Sequence, residues 1–100
     1  MYINTGELEA AETTIFYVPN KSFQYFKVNF FLDNDGRFTF QMSQILGNKE
    51  ILILLQNTGY SIKNMPYSFS TDLIKLEIRN DSAETTNFNL FLDFSALGVA

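Results

Sequence analysis

Phe23-Gln24-Tyr25-Phe26-Lys27-Val28-Asn29-Phe30-Phe31-Leu32-Asp33 decides the fold class of this chain. In an extended backbone, alternate side chains point to opposite faces. Phe26, Val28, Phe30 and Leu32 then share one apolar face, while Tyr25, Lys27, Asn29 and Phe31 form a mixed one. The period is two, not that of a helix. Arg37 to Leu46 repeats it, with Phe38, Phe40 and Met42 set against the polar Arg37, Thr39, Gln41 and Ser43. That alternation is the mark of an antiparallel strand with one wet face.

Between the two runs lies Asp33-Asn34-Asp35-Gly36-Arg37. A two-residue loop at Asp35-Gly36 would set apolar against polar residues along the whole ladder. A three-residue loop, Asn34-Asp35-Gly36, pairs Leu32 with Phe38, Phe30 with Phe40 and Val28 with Met42, and places glycine at the left-handed bulge position. The expectation is therefore a hairpin in the second register. Gly47-Asn48-Lys49 is a further turn, of two or four residues, since either length preserves the faces.

Working outward, Glu50 to Asn57 contains Ile51-Leu52-Ile53-Leu54-Leu55, apolar on both faces, and reads as a strand covered on both sides. Tyr60 to Lys63 is a short strand stopped by Asn64-Met65-Pro66, since proline would break a central ladder. Leu73 to Arg79 and Phe88 to Ser95 alternate cleanly, and Thr13 to Val18 is a strand closed by Pro19-Asn20. The expected fold is all-β, a single small antiparallel β-sandwich of jelly-roll or immunoglobulin-like type with about seven strands. The sandwich is assigned to residues 13–95. Residues 1–12 form an N-terminal arm of helical composition, too short to be stable undocked and available to contact a partner. Residues 96–100 form a short apolar tail.

The 100 residues suit one domain. Cysteine and histidine are both absent, which removes disulfides, thiol catalysis, the usual zinc and copper ligands and the commonest general base. A net charge of −4 has the wrong sign for a nucleic-acid binder. No run of roughly 18 apolar residues would span a membrane. The start of the chain lacks the basic and apolar pattern of a signal peptide, so the expected location is a virion or the cytoplasm.

Asp33-Asn34-Asp35-Gly36 resembles part of a calcium loop. Aligning Gly36 with the invariant glycine of an EF-hand, however, puts Phe31 and Met42 where carboxylates must stand. A tight turn requires the same residues anyway. Without histidine a serine nucleophile would need lysine or a carboxylate as base, and no Gly-x-Ser-x-Gly or Ser-x-x-Lys motif occurs. Asp81 with Glu84, and Glu7 with Glu9 and Glu12, are the carboxylate groups to weigh for hydrolysis; solvated surface is the simpler reading. Asn20-Lys21-Ser22 and Asn80-Asp81-Ser82 match the glycosylation acceptor. No catalytic, metal-binding or cofactor-binding residue is assigned, and an enzyme is not expected.

The aromatics are more informative. Eleven Phe and five Tyr divide into Phe26, Phe30, Phe38, Phe40, Phe88 and Phe94, which face the expected core, and others on the opposite face. Tyr25, Phe31 and Phe91, with Leu52 and Leu54 of the most apolar strand, are the candidate interface residues. Gathered on one side, they would form a patch that needs covering. The function expected is structural: a small virion component of capsid, spike or fibre, contacting copies of itself as a homo-oligomer or other structural subunits. An alternative is a carbohydrate-binding or adhesion module using Asn57, Tyr60, Asn64 and Tyr67. A weaker alternative is a barrel for single-stranded nucleic acid, with Tyr25, Lys27 and Phe31 as a stacking strip.

Overall fold

The computed structural model describes residues 2–19, 24–56, 61–69 and 73–95, excepting the side chains at 24, 25, 53–56, 64, 67–69 and 95. Eight strands lie within them: β1 (Tyr2–Leu8), β2 (Thr13–Pro19), β3 (Gln24–Leu32), β4 (Phe38–Leu46), β5 (Lys49–Gln56), β6 (Ser61–Phe69), β7 (Leu73–Asn80) and β8 (Thr86–Ser95). They make two four-stranded sheets, β1-β8-β3-β6 and β2-β7-β4-β5, with antiparallel pairing throughout. Four pairings join β1 to β8, β2 to β7, β3 to β6 and β4 to β5, so the chain is one long ribbon doubled back at the β4–β5 turn. The ribbon is then rolled so that β8 also meets β3 and β7 also meets β4. This winding is a jelly roll, one of the two sandwich types expected; the immunoglobulin strand order is not followed.

The inward faces mesh as the alternation requires. Phe26, Val28, Phe30 and Leu32 from β3, Phe38, Phe40 and Met42 from β4, Ile74, Leu76 and Ile78 from β7, and Leu90 and Leu92 from β8 are all buried. The Phe30 ring meets Phe38 edge-on, with centroids 4.6 Å apart, and lies 5.2 Å from Phe40. Phe94 is partly buried against Phe26. Phe16 on β2 stacks between Tyr2 and Phe88, closing the mouth between the sheets with the offset geometry aromatic rings favour.

The expected β3–β4 hairpin is not formed. β3 and β4 belong to different sheets, and residues 33–37 cross from one layer to the other. Face parity is equally satisfied when two strands confront each other across a core as when they lie side by side. The true partners, Phe30 with Leu90 and Phe40 with Ile78, preserve the faces just as well. In the crossing, the Asp35 amide donates to the Leu32 carbonyl and the Gly36 amide to Asn34 Oδ1. The positive φ, 55°, falls on Asp35 rather than Gly36. Gly36 is needed for a different reason: a Cβ there would lie 2.6 Å from the Ser82 Cβ.

Two other expectations change, and one open choice is decided. Residues 2–8 of the N-terminal arm are a strand, not a helix; β1 pairs with β8, and Leu8 is part of the core. Its alternation was hidden by Gly6, which sits opposite Phe88 and whose Cβ would lie 3.0 Å from that ring. The strand begun at residue 61 continues through Pro66 to Phe69, because β6 is an edge and its free side asks for no amide donor. The β4–β5 turn has two residues, Leu46 pairing with Lys49, with Gly47 at φ 61°. Glycine at the first central position is the arrangement of a II′ hairpin turn.

One end of the sandwich is tied by Asn80, whose side chain is fully buried. Its Nδ2 donates to the carbonyls of Leu8 at 3.0 Å and Glu84 at 2.8 Å, and its Oδ1 accepts from the Ser82 amide and hydroxyl. Its backbone bonds Ala11 and Glu12. Replacing it strands several buried groups at once, each at about 1–3 kcal/mol. Asn80→Ala should lower unfolding stability in urea by about 2–4 kcal/mol; a change under about 0.5 kcal/mol would show the knot to be dispensable.

Candidate functional site

With the core accounted for, the candidate site is what the outer faces leave uncovered. On β1-β8-β3-β6 the outward positions are those between the buried residues. Phe31 on β3 is 38% exposed and stacks on Phe91 of β8, with ring centroids 6.4 Å apart and planes 24° from parallel. The pair is diagonal in the ladder: Phe31 stands opposite Asn89, and Phe91 opposite Asn29. Ile3 on β1 is opposite Phe91 and 58% exposed. Three strands therefore contribute one apolar step each. Around them are Thr5, Asn89 and the Lys27–Asp93 cross-strand position. Asn89 Nδ2 donates to Asp33 Oδ1 at 2.7 Å, which fixes the rim beside Phe31.

Of the five residues expected at an interface, the structure brings together Phe31 and Phe91. Tyr25 occupies the β3 position opposite Ser95 and Ser68, and its side chain lies outside the described residues. Leu52, 53% exposed, is on the other sheet. β5 carries a bulge: Ser43 pairs with Leu52 and Met42 with Leu54, skipping Ile53. The Leu54 side chain lies outside the described residues.

Sequence reading missed Ile3, Ile15 and Tyr17. The last two, 50% and 54% exposed, lie on the outer face of β2. The signal was present in Thr13 to Val18, where both faces are apolar, but a strand of that kind reads as buried. Ile3 was hidden inside the supposed arm.

The remaining candidates are distributed as follows. Asn57 and Tyr60 lie outside the described residues, as do the side chains of Asn64 and Tyr67 on β6. Lys27 is exposed and faces Asp93 in register, a poor setting for a strip meant to hold phosphates. Asp81 accepts from the Thr39 hydroxyl and lies 3.4 Å from Arg79 Nε. Glu12 accepts the Glu9 amide at 2.8 Å and braces the β1–β2 turn. The Asn80 amide is consumed by its buried bonds, so Asn80-Asp81-Ser82 is not an available glycan acceptor; Asn20-Lys21-Ser22 lies outside the described residues. Among the described residues no group of three or more acidic side chains is placed to hold a metal ion, and no helix is long and apolar enough to cross a membrane.

On the second sheet, Lys75 of β7 reaches Glu50 of β5 at 2.9 Å. β4 lies between those strands, so the link passes over Ser43, which is buried although it is on the outer face. The Glu50 hydrogen bond raises the Lys75 pKa above its usual value of 10.5, against an opposing desolvation effect. A raised lysine pKa means the link stabilises the fold below 10.5 and is lost as pH climbs through the folded value. The difference in urea midpoint between the native chain and Lys75→Gln should thus stay constant from neutral pH up to the lysine range and shrink above it. A difference that grows with alkali would contradict the link.

No protein-family model matches the chain, and no curated protein matches its sequence. Its fold has clear counterparts. The chain is similar to the pre-peptidase C-terminal domain of collagenase from Bacillus anthracis, with a TM-score of 0.70 and 11% identity over 92% of this chain and 88% of that one. It is also similar to the Yersinia pseudotuberculosis-derived mitogen, with a TM-score of 0.59 and 15% identity over 99% of this chain and 87% of that one. At such identities the likeness is one of fold alone.

Proposed function

We propose that the chain is a non-catalytic assembly module, a jelly roll that holds further copies of itself within a larger structure such as a virion shell, spike or fibre. The observation that carries this reading is the Phe31–Phe91 pair with Ile3 beside it. Two stacked rings and an aliphatic side chain, surrounded by Asn, Thr and one pair of opposite charges, have the make-up of an interface centre with its polar rim. Single exposed apolar residues are ordinary; three adjoining ones on the outer face of a formed sheet are a place to hold something.

The polar groups point the same way. Of the carboxylates weighed for hydrolysis, Glu12 braces the β1–β2 turn and Asp81 is held by Arg79 and the Thr39 hydroxyl. The Bacillus anthracis neighbour is by its name one domain of a collagenase, so the same fold serves elsewhere as an attached unit.

Sedimentation velocity at micromolar concentration tests the reading. The native chain should sediment as an assembly, and the double substitution Phe31→Ser with Phe91→Ser should reduce its size while the far-ultraviolet circular dichroism stays that of a β-protein. Equal sedimentation of the native and doubly substituted chains would overturn it.

A further inference from the structure

The four sheet edges are not alike. β5 and β6, which lie at one side of the sandwich, are both interrupted: β5 by the bulge at Ile53, β6 by a register shift opposite Asn29 and by Pro66. They also carry Lys49 and Lys63. Bulges, proline and lysine are the devices that stop one sheet edge from pairing with another. β2, at the opposite side, has none of them within its span before the terminal Pro19. Its register with β7 runs unbroken from Thr13 opposite Arg79 to Pro19 opposite Leu73. The strand Thr13-Thr14-Ile15-Phe16-Tyr17-Val18-Pro19 carries no charge at all, and its outward Ile15 and Tyr17 are each about half exposed. β1, the other edge on this side, is also unbroken but carries Glu7.

We infer that β2 is a self-pairing edge: two copies join β2 to β2 antiparallel about a two-fold axis at Phe16, making one continuous sheet. The occupant follows from the strand's own order. Centred on Phe16, an antiparallel copy sets Ile15 against the partner's Tyr17 and Tyr17 against the partner's Ile15, with Thr14 against Val18 and Thr13 against Pro19. Outward residues meet only outward ones, and inward only inward. Aromatic against β-branched is among the favourable cross-strand pairs, and no like charges are opposed anywhere along the seam. The same operation on β1, centred on Thr5, would put Glu7 against Ile3. A two-fold contact of this kind is isologous and closes at two copies.

The inference deepens the assembly reading and rests on it, but it concerns a different surface from Phe31 and Phe91, so the two can fail separately. The experiment is done in the Phe31→Ser, Phe91→Ser chain, where only the edge contact remains. That chain should sediment as a dimer. Adding Ile15→Lys with Tyr17→Lys sets two like-charge pairs across the seam and should weaken dimerisation about tenfold or more. The counterpart with Ile15→Glu and Tyr17→Glu should do the same. Mixing the two should restore a one-to-one heterodimer by native mass spectrometry, which also shows that both variants are folded. A monomeric starting chain, or charged variants as dimeric as their parent, would overturn the edge pairing while leaving the outer-face contact standing. Charged variants that are monomeric alone and stay so when mixed would overturn the Phe16-centred register.

Discussion

The contact of Phe30 with Phe38 and Phe40 is the constraint from which the rest of the architecture follows. Those rings come from adjacent strands in the chain, yet they meet across the core from opposite layers rather than side by side in a ladder. Once β3 and β4 are committed to opposite layers, each must find its hydrogen-bond partners far along the chain. β3 finds them in β8 and β6, and β4 in β7 as well as β5. The outcome is a ribbon doubled at Gly47-Asn48 and rolled, in which nearly every connection changes sheets. Backbone groups are satisfied by the ladders and crossing turns, and the alternating side chains of both layers fill one core.

Much of this was legible in the sequence, because burial on one face forces a period of two. Seven of the eight strands, the inward side of each clearly alternating one and the division of the phenylalanines all follow from that rule. The pairing did not. Parity along Phe26 to Leu32 and Phe38 to Met42 states which side of each strand is apolar, and a hairpin and a cross-core pair satisfy it alike. Only the long-range partners decide, and in one sequence they leave no local mark. The other departures come from single residues whose roles are tertiary. Gly6 interrupts an alternation because Phe88 needs its space. Pro66 sits inside a strand because that strand is an edge. Ile53 is the extra residue of a backbone bulge that the apolar run around it does not announce.

The same residues explain what became of the candidate site. Phe31 and Phe91 were identifiable because they break the polar pattern of an outer face, but their meeting depends on β3 lying beside β8. Ile3 joins them only because the supposed arm is a strand. Asn80 matches a glycosylation motif through Asp81 and Ser82, and is a buried tie between residues 8–12 and 82–84. A motif read locally cannot report burial, which the other end of the chain supplies. The functional reading therefore rests on surfaces rather than motifs: a ring pair on one sheet and an uncharged edge on the other, in a molecule whose structural neighbours establish its fold and no more.

The central claim is that β3 and β4 confront each other across the core, and that this arrangement places Phe31 beside Phe91. A nuclear Overhauser spectrum of the chain with labelled phenylalanines tests it most directly. The account requires backbone contacts from Phe30 to Leu90, ring contacts from Phe30 to Phe38 and Phe40, and ring contacts from Phe31 to Phe91. Backbone contacts between Phe30 and Phe40, with none from Phe30 to Leu90, would mean that β3 and β4 form a hairpin after all and would contradict it.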